Sequence, residues 1–164
     1  SLTEDGMDTL FIAMLLNSDQ KAVGKLLKHP RSNITLSDAG AHLTFFNDAG
    51  YGLYMLENWV RKNNLMSKEE AIYNLTGKQA DIYRIDQRGR LVPGQYADMM
   101  LIDLDIVGVS ETYRVNDLPG GSSRLNIDGH GIHSVWINGE NVFKNNTLIN
   151  PDKLPGRVLK GFHS

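Results

Sequence analysis

The chain has 164 residues, 41% hydrophobic and 22% charged, which is the composition of a folded globular protein with a core of its own. A formal net charge of -2 gives no basic field for nucleic acid, and the absence of cysteine excludes disulfides and cysteine-based metal sites or nucleophiles. That cysteine usage suits a reducing cytoplasm, and the densest apolar run, Leu10-Phe11-Ile12-Ala13-Met14-Leu15-Leu16, is too short to span a bilayer.

In chain order, that apolar run reads as a buried strand or helix. Residues 19–28 predict a short helix with Ser18 or Asp19 as N-cap and Val23, Leu26 and Leu27 as the apolar stripe, stopped by His29-Pro30. Ile34, Thr35 and Leu36, within residues 33–37, predict a brief strand that ends at Asp38. Leu53, Leu56, Trp59 and Val60 fall at helical spacing in residues 51–62. Ser67 and Glu70 form a capping box ahead of Ala71, Ile72 and Leu75, and a further helical turn runs from Thr76-Gly77 to Ile82.

From Arg88 onward the pattern is β. Pro93-Gly94 marks a turn, residues 99–103 make a strand almost without polar residues, and residues 134–138 and 141–144 form a hairpin around Asn138-Gly139. Residues 109–131, rich in Gly, Ser, Asn and Asp, read as one long loop, of the kind that is functional or mobile.

Asp38 is the first candidate for chemistry. A carboxylate at a strand end can ligate zinc, take a proton from a metal-bound water and hand it to a leaving nitrogen. The alternative is an Asp that caps the turn through Ala39-Gly40. His42, four residues on, can reach a substrate carboxylate or an oxyanion, or can be a partly buried His making one hydrogen bond. Among Arg114, Asp117 and Arg124, one Arg could be the fork for a substrate carboxylate, although such residues more often form solvated surface pairs. His130 and His133 would face opposite sides of a strand and have no third ligand nearby, which argues against a metal there. His29 reads as a surface cap, His163 lies in the tail, and Tyr51, Tyr54, Trp59 and Tyr73 read as packing.

Several segments taken together resemble a known family. They are Leu36-Ser37-Asp38-Ala39-Gly40-Ala41-His42, Asn47-Asp48-Ala49-Gly50-Tyr51, Gly89-Arg90-Leu91-Val92-Pro93-Gly94-Gln95-Tyr96-Ala97-Asp98, Asn116-Asp117-Leu118-Pro119-Gly120-Gly121 and the Asn138-Gly139 hairpin. Their order is similar to that of the C-terminal part of the amidohydrolase superfamily, and within it of the D-aminoacylase (N-acyl-D-amino-acid deacylase) group. The resemblance implies a zinc-dependent hydrolase that removes an acyl group from the nitrogen of a D-amino acid.

It also implies an α/β plus β fold, in which residues 1–87 are the C-terminal part of a (β/α)8 barrel and residues 88–164 part of a small β-sandwich. Such a barrel needs about 250 residues, so a whole one is not expected here. Asp38 matches the family's general base and acid at the end of the eighth strand and is a candidate metal ligand. His42 matches a substrate-contacting position, with Arg114 and Arg124 as candidate substrate-binding residues. The His-x-His pair and other ligands of the family's metal site are not in this sequence. The expectation is therefore a piece that, alone, neither holds zinc tightly nor turns over a small-molecule N-acylated amino acid. A cyclic amidase of the hydantoinase or dihydroorotase kind is the alternative enzyme, and a non-catalytic binding or assembly remnant the alternative outside enzymes. Exposed strand edges predict a homo-oligomer or a self-associating chain, without nucleic acid or membrane partners.

Overall fold

The computed structural model describes residues 16–160 together with Thr3, Glu4, Gly6 and Ala13. Most of the apolar run at residues 10–16 and His163 lie outside the described residues. The chain forms two compact units, Ser1–Ser32 and Asn33–Ser164.

The first unit contains α1 (Gln20–Leu27). Asp19 caps it as expected: its carboxylate accepts from the amides of Lys21 and Ala22 at 2.8 and 3.2 Å, two of the donors a helix start leaves unmatched. His29 lies just past the helix end, exposed, and its Nδ1 accepts from the Arg31 amide.

The second unit is a mixed helix and sheet assembly. The strand expected at residues 33–37 does not form. No strand among the described residues pairs with it, and the Ile34 carbonyl instead accepts from the Gln79 side chain at 2.9 Å. The helix expected over residues 51–62 is α only at its start, as α2 (Tyr51–Tyr54), and continues as a π-helix, Met55–Lys62. The wider spiral closes where Asn63 donates from both backbone and side chain to the Asn58 carbonyl, 2.9 and 2.7 Å.

Next come α3 (Lys68–Leu75), capped by the Ser67 hydroxyl, and α4 (Gly77–Tyr83), ended by Arg84 at φ 53°. Met55, Leu56, Met66, Ala71, Ala80 and Val107 form the buried core around these helices. Tyr54 and Tyr73, expected to pack, are 44% and 47% exposed. Tyr73 instead hydrogen-bonds Asp81 through its hydroxyl, because a phenol can bury its ring edge and keep its polar tip wet.

Among the described residues the β part has eight short strands. A four-stranded antiparallel sheet has the order β1 (Met99–Ile102), β6 (Ile132–Ile137), β7 (Glu140–Lys144), β8 (Thr147–Leu148). β6 and β7 are joined by the expected tight turn, with Asn138 at φ 51° and Gly139 at φ 83°. β1 is an edge strand, and its apolar sequence does not bring full burial: Met100 and Leu101 are 47% and 54% exposed. An apolar groove of about 970 Å³, lined among others by Leu53, Ile72, Tyr73, Met99 and Met100, runs beside it.

The expected long loop at residues 109–131 is instead two antiparallel ribbons, β2 (Gly108–Val109) with β5 (Gly129–His130), and β3 (Tyr113–Val115) with β4 (Arg124–Asn126). Gly131, at φ 75°, breaks the strand expected across His130 and His133. A Cβ on Gly131 would lie 2.5 Å from the Val107 Cα, and one on Gly108 the same distance from the Glu57 carboxylate, so the β2–β5 ribbon seats against its neighbours through glycine. The seat is polar as well. The Arg61 guanidinium donates to the carbonyls of Leu104 and Val107, and Glu57 accepts from the Val109 amide. The Lys62 ammonium, first among several influences, holds the Glu57 carboxyl below its ordinary range.

Candidate functional site

Asp38 and His42 lie on an exposed loop, residues 37–48, made of consecutive turns. The Ser37 hydroxyl accepts from the Ala39 amide, and Asp38 takes φ 55°, a left-handed conformation that costs a non-glycine residue about 1 kcal/mol or more. Gly40 follows at φ 91°. The His42 carbonyl accepts from the amides of Phe45 and Phe46, and its ring stacks on Phe45 at 4.8 Å between centroids. The loop closes with an Asx turn, in which Asn47 Oδ1 accepts from the Ala49 amide, and with the Tyr51 amide donating to the Asp48 carbonyl at the start of α2.

Asp48 is a member of this site that the residue-by-residue reading did not single out. Its carboxyl titrates above the ordinary range, first because protein displaces water around it and second because Asp38 places a negative charge nearby. Asp38, at the start of the loop, and Asp48, at its end, thus influence each other electrostatically. The signal that would have found Asp48 was its position directly before Ala49-Gly50, next to the capping Asn47.

The two candidate arginines sit on the β3–β4 ribbon. Arg114 reaches the loop and donates through Nη1 to the Thr44 carbonyl at 3.1 Å and to the Ser123 hydroxyl at 3.3 Å. Arg124 is held at both ends of its fork by Asp117, 2.7 Å for each contact, and also donates to the Asn126 side chain. That pairing raises the Arg124 pKa and lowers that of Asp117. His130 and His133 sit on different strands, β5 and β6, separated by the Gly131 bend, and both are exposed.

The donor set tests whether this chain can hold zinc unaided. Among the described residues no three His, Asp or Glu side chains gather where a metal ion could sit, and cysteine is absent. Catalytic zinc takes three protein ligands, so the described residues do not fit the ion by themselves.

Comparison with known proteins agrees with the motifs. The amidohydrolase family model matches residues 8–143. The chain is 30% identical over 143 residues to an N-acyl-D-aspartate deacylase of Alcaligenes xylosoxydans xylosoxydans, covering 86% of this chain and 26% of that protein. It is 32% identical over 106 residues to an N-acyl-D-glutamate deacylase of the same organism, covering 65% and 19%. Among solved structures, it is similar to the N-acyl-D-glutamate deacylase of Bordetella bronchiseptica, crystallised with zinc and a phosphonate mimic of the tetrahedral intermediate. That match has a TM-score of 0.57 and 27% identity, over 79% of this chain and 26% of the other. The chain therefore spans about a quarter or less of the length of these relatives. With most of its residues inside the family match, the chain belongs to the amidohydrolase family.

Proposed function

We propose that this chain is the C-terminal part of a zinc-dependent amidohydrolase that hydrolyses the amide bond of N-acyl-D-amino acids. The observation that carries this reading is the match over residues 8–143, which contains the whole loop bearing Asp38, Asp48 and His42. On this reading residues 1–87 supply the end of the barrel, with residues 33–37 running where its last strand would be, and residues 88–164 supply part of the small β-sandwich. The absence of cysteine agrees with a cytoplasmic enzyme.

Asp38 is the catalytic residue. Its carboxylate removes a proton from the attacking water and returns it to the leaving nitrogen, so that the amine departs neutral. It is also the one metal ligand that this chain is proposed to contribute to the intact enzyme. The other zinc ligands would have to come from outside the described residues. Asp48, whose carboxyl burial and then the Asp38 charge push upward, is a second carboxyl that responds to Asp38. His42, exposed and stacked on Phe45, presents its imidazole to the substrate. Of the candidate guanidinium forks for the substrate carboxylate, Arg124 would have to exchange Asp117 for substrate, and Arg114 is already engaged by the Thr44 carbonyl and the Ser123 hydroxyl.

The test is hydrolysis of N-acetyl-D-aspartate, N-acetyl-D-glutamate and apolar N-acetyl-D-amino acids, beside hydantoin and dihydroorotate, by the longest product the gene encodes, with added zinc. Release of free D-amino acid supports the proposal. Ring opening alone would establish a cyclic amidase, and inactivity on every substrate with no zinc retained would establish a non-catalytic module.

A further inference from the structure

We propose that the β3–β4 ribbon is a strap that holds the Asp38 loop in its working shape, with Asn47 and Arg114 as positioning residues. The juxtaposition lies in one rung of the ribbon. Leu125, the middle residue of β4, pairs with Arg114 on one side. On its other side it turns both backbone groups to the loop: its amide donates to the Leu43 carbonyl at 2.7 Å, and its carbonyl accepts from Asn47 Nδ2 at 3.2 Å. From across the rung, Arg114 Nη1 reaches the Thr44 carbonyl. Residues 43–47 thus take the place of a third strand and occupy a sheet edge that would otherwise stay open.

The loop needs such an anchor. Nearly every residue from 38 to 45 is exposed, and Asp38 and Gly40 both have positive φ. The turn that closes over Asp38 is spanned by a long hydrogen bond, 3.4 Å from the Ala41 amide to the Asp38 carbonyl. Ordering each residue costs about 1–2 kcal/mol of backbone entropy, and these few local bonds recover little of it. The ribbon fixes the loop at residues 43, 44 and 47, and the two amide bonds to the His42 carbonyl pass that order back toward Asp38. The strap also explains why a Gly- and Ser-rich stretch folds as a ribbon at all. Its tip, residues 116–123, is closed by the Arg124–Asp117 pair and by the Ser123 hydroxyl accepting from Arg114.

The strap rests on the deacylase reading only for its effect on catalysis, so the experiment has two arms. The first follows amide hydrogen exchange in this chain at Phe45, Phe46 and Leu125, in the unaltered protein and in Asn47→Ala and Arg114→Ala. The strap predicts exchange about tenfold faster at Phe45 and Phe46 in both variants, with β6 and β7 unchanged. Unchanged exchange in the loop overturns it, and so does an equal rise in β6 and β7, which would make both residues general stabilisers.

The second arm measures the longest gene product. Asn47→Ala should lower kcat about 10- to 100-fold with KM nearly unchanged, because a misplaced carboxylate loses rate before affinity. Arg114→Lys, which keeps one donor for the Thr44 carbonyl, should restore most of the kcat that Arg114→Ala loses. A raised KM that Lys fails to rescue would make Arg114 a substrate fork and overturn its positioning role. If the gene product has no hydrolase activity, the functional reading fails while the exchange arm still decides the strap.

Discussion

Replacing Arg88 by Met tests why two motifs distant in sequence belong together. Arg88 forms an ion pair with Asp98, donates to Asn138 Oδ1 at 2.6 Å and lies 4.3 Å from the centre of the Tyr96 ring. Asp98 in turn accepts from the Asn138 amide at 2.8 Å, and the Gly139 amide donates to the Ala97 carbonyl at 2.9 Å. One guanidinium therefore clips the turn before β1 to the β6–β7 hairpin. The Arg88 side chain is 13% exposed and that of Asp98 34%, so the ion pair is partly screened. Assigning about 1 kcal/mol to it, about 1.5 to the charged bond on Asn138 and about 0.5 to the ring contact gives a loss of about 3 kcal/mol. In a chain of this size that corresponds to a fall in Tm of about 6–12 °C. Urea unfolding measures it, and Arg88→Lys should fall between the two because a single ammonium cannot serve both acceptors with a fork's geometry. A loss under about 1 kcal/mol in Arg88→Met, at an unchanged slope, would refute the clip.

Other outcomes follow from the same geometry. Burial pushes the Asp98 carboxyl upward, but the Asn138 amide and Arg88 outweigh it, so its folded pKa lies below the unfolded value of about 3.9. Its contribution to stability is therefore complete above about pH 4 and is lost as pH falls through the folded value; Asp98→Asn should flatten that part of an acid-unfolding curve. Gly131→Ala meets both a φ of 75° and the Val107 Cα at 2.5 Å, and should destabilise by about 2–5 kcal/mol in denaturant unfolding, whereas Gly94→Ala, with no atom near its Cβ, should lose only the cost of its φ. The exposed β1 edge and the apolar groove beside it predict self-association, and a monodisperse monomer in light scattering at working concentration would contradict that.

Local signals carried much of the fold. The Asp19 and Ser67 caps, the Asn138-Gly139 turn and the β1 and β6–β7 strands depend on neighbours in sequence, and all formed within two residues of their expected places. What escaped depends on distant partners. Residues 33–37 have β propensity but, among the described residues, no strand to pair with, and the π-helix goes with Asn63 donating to the Asn58 carbonyl and the Leu65 amide to the Trp59 carbonyl, which periodicity alone does not reveal. Residues 109–131 read as loop because Gly and Ser have low strand propensity, yet Gly129, within them, sits where the Leu53 side chain comes to 2.5 Å from a Cβ position. Of the site, Asp38 and His42 stood out by motif. Asn47 and the ribbon that grips Leu43, Thr44 and Asn47 depend on contacts across some 70 residues or more of chain, whereas Asp48 interacts with Asp38 only ten residues away.

The proposed role of Asp38, moving the proton in an N-acyl-D-amino-acid deacylase, is decided by kcat for the longest gene product with zinc and its best N-acetyl-D-amino acid, compared with Asp38→Ala. Loss of a general acid and base should lower kcat about 10²- to 10⁴-fold in Asp38→Ala. A variant that keeps its rate within a few-fold of the unaltered enzyme would contradict it.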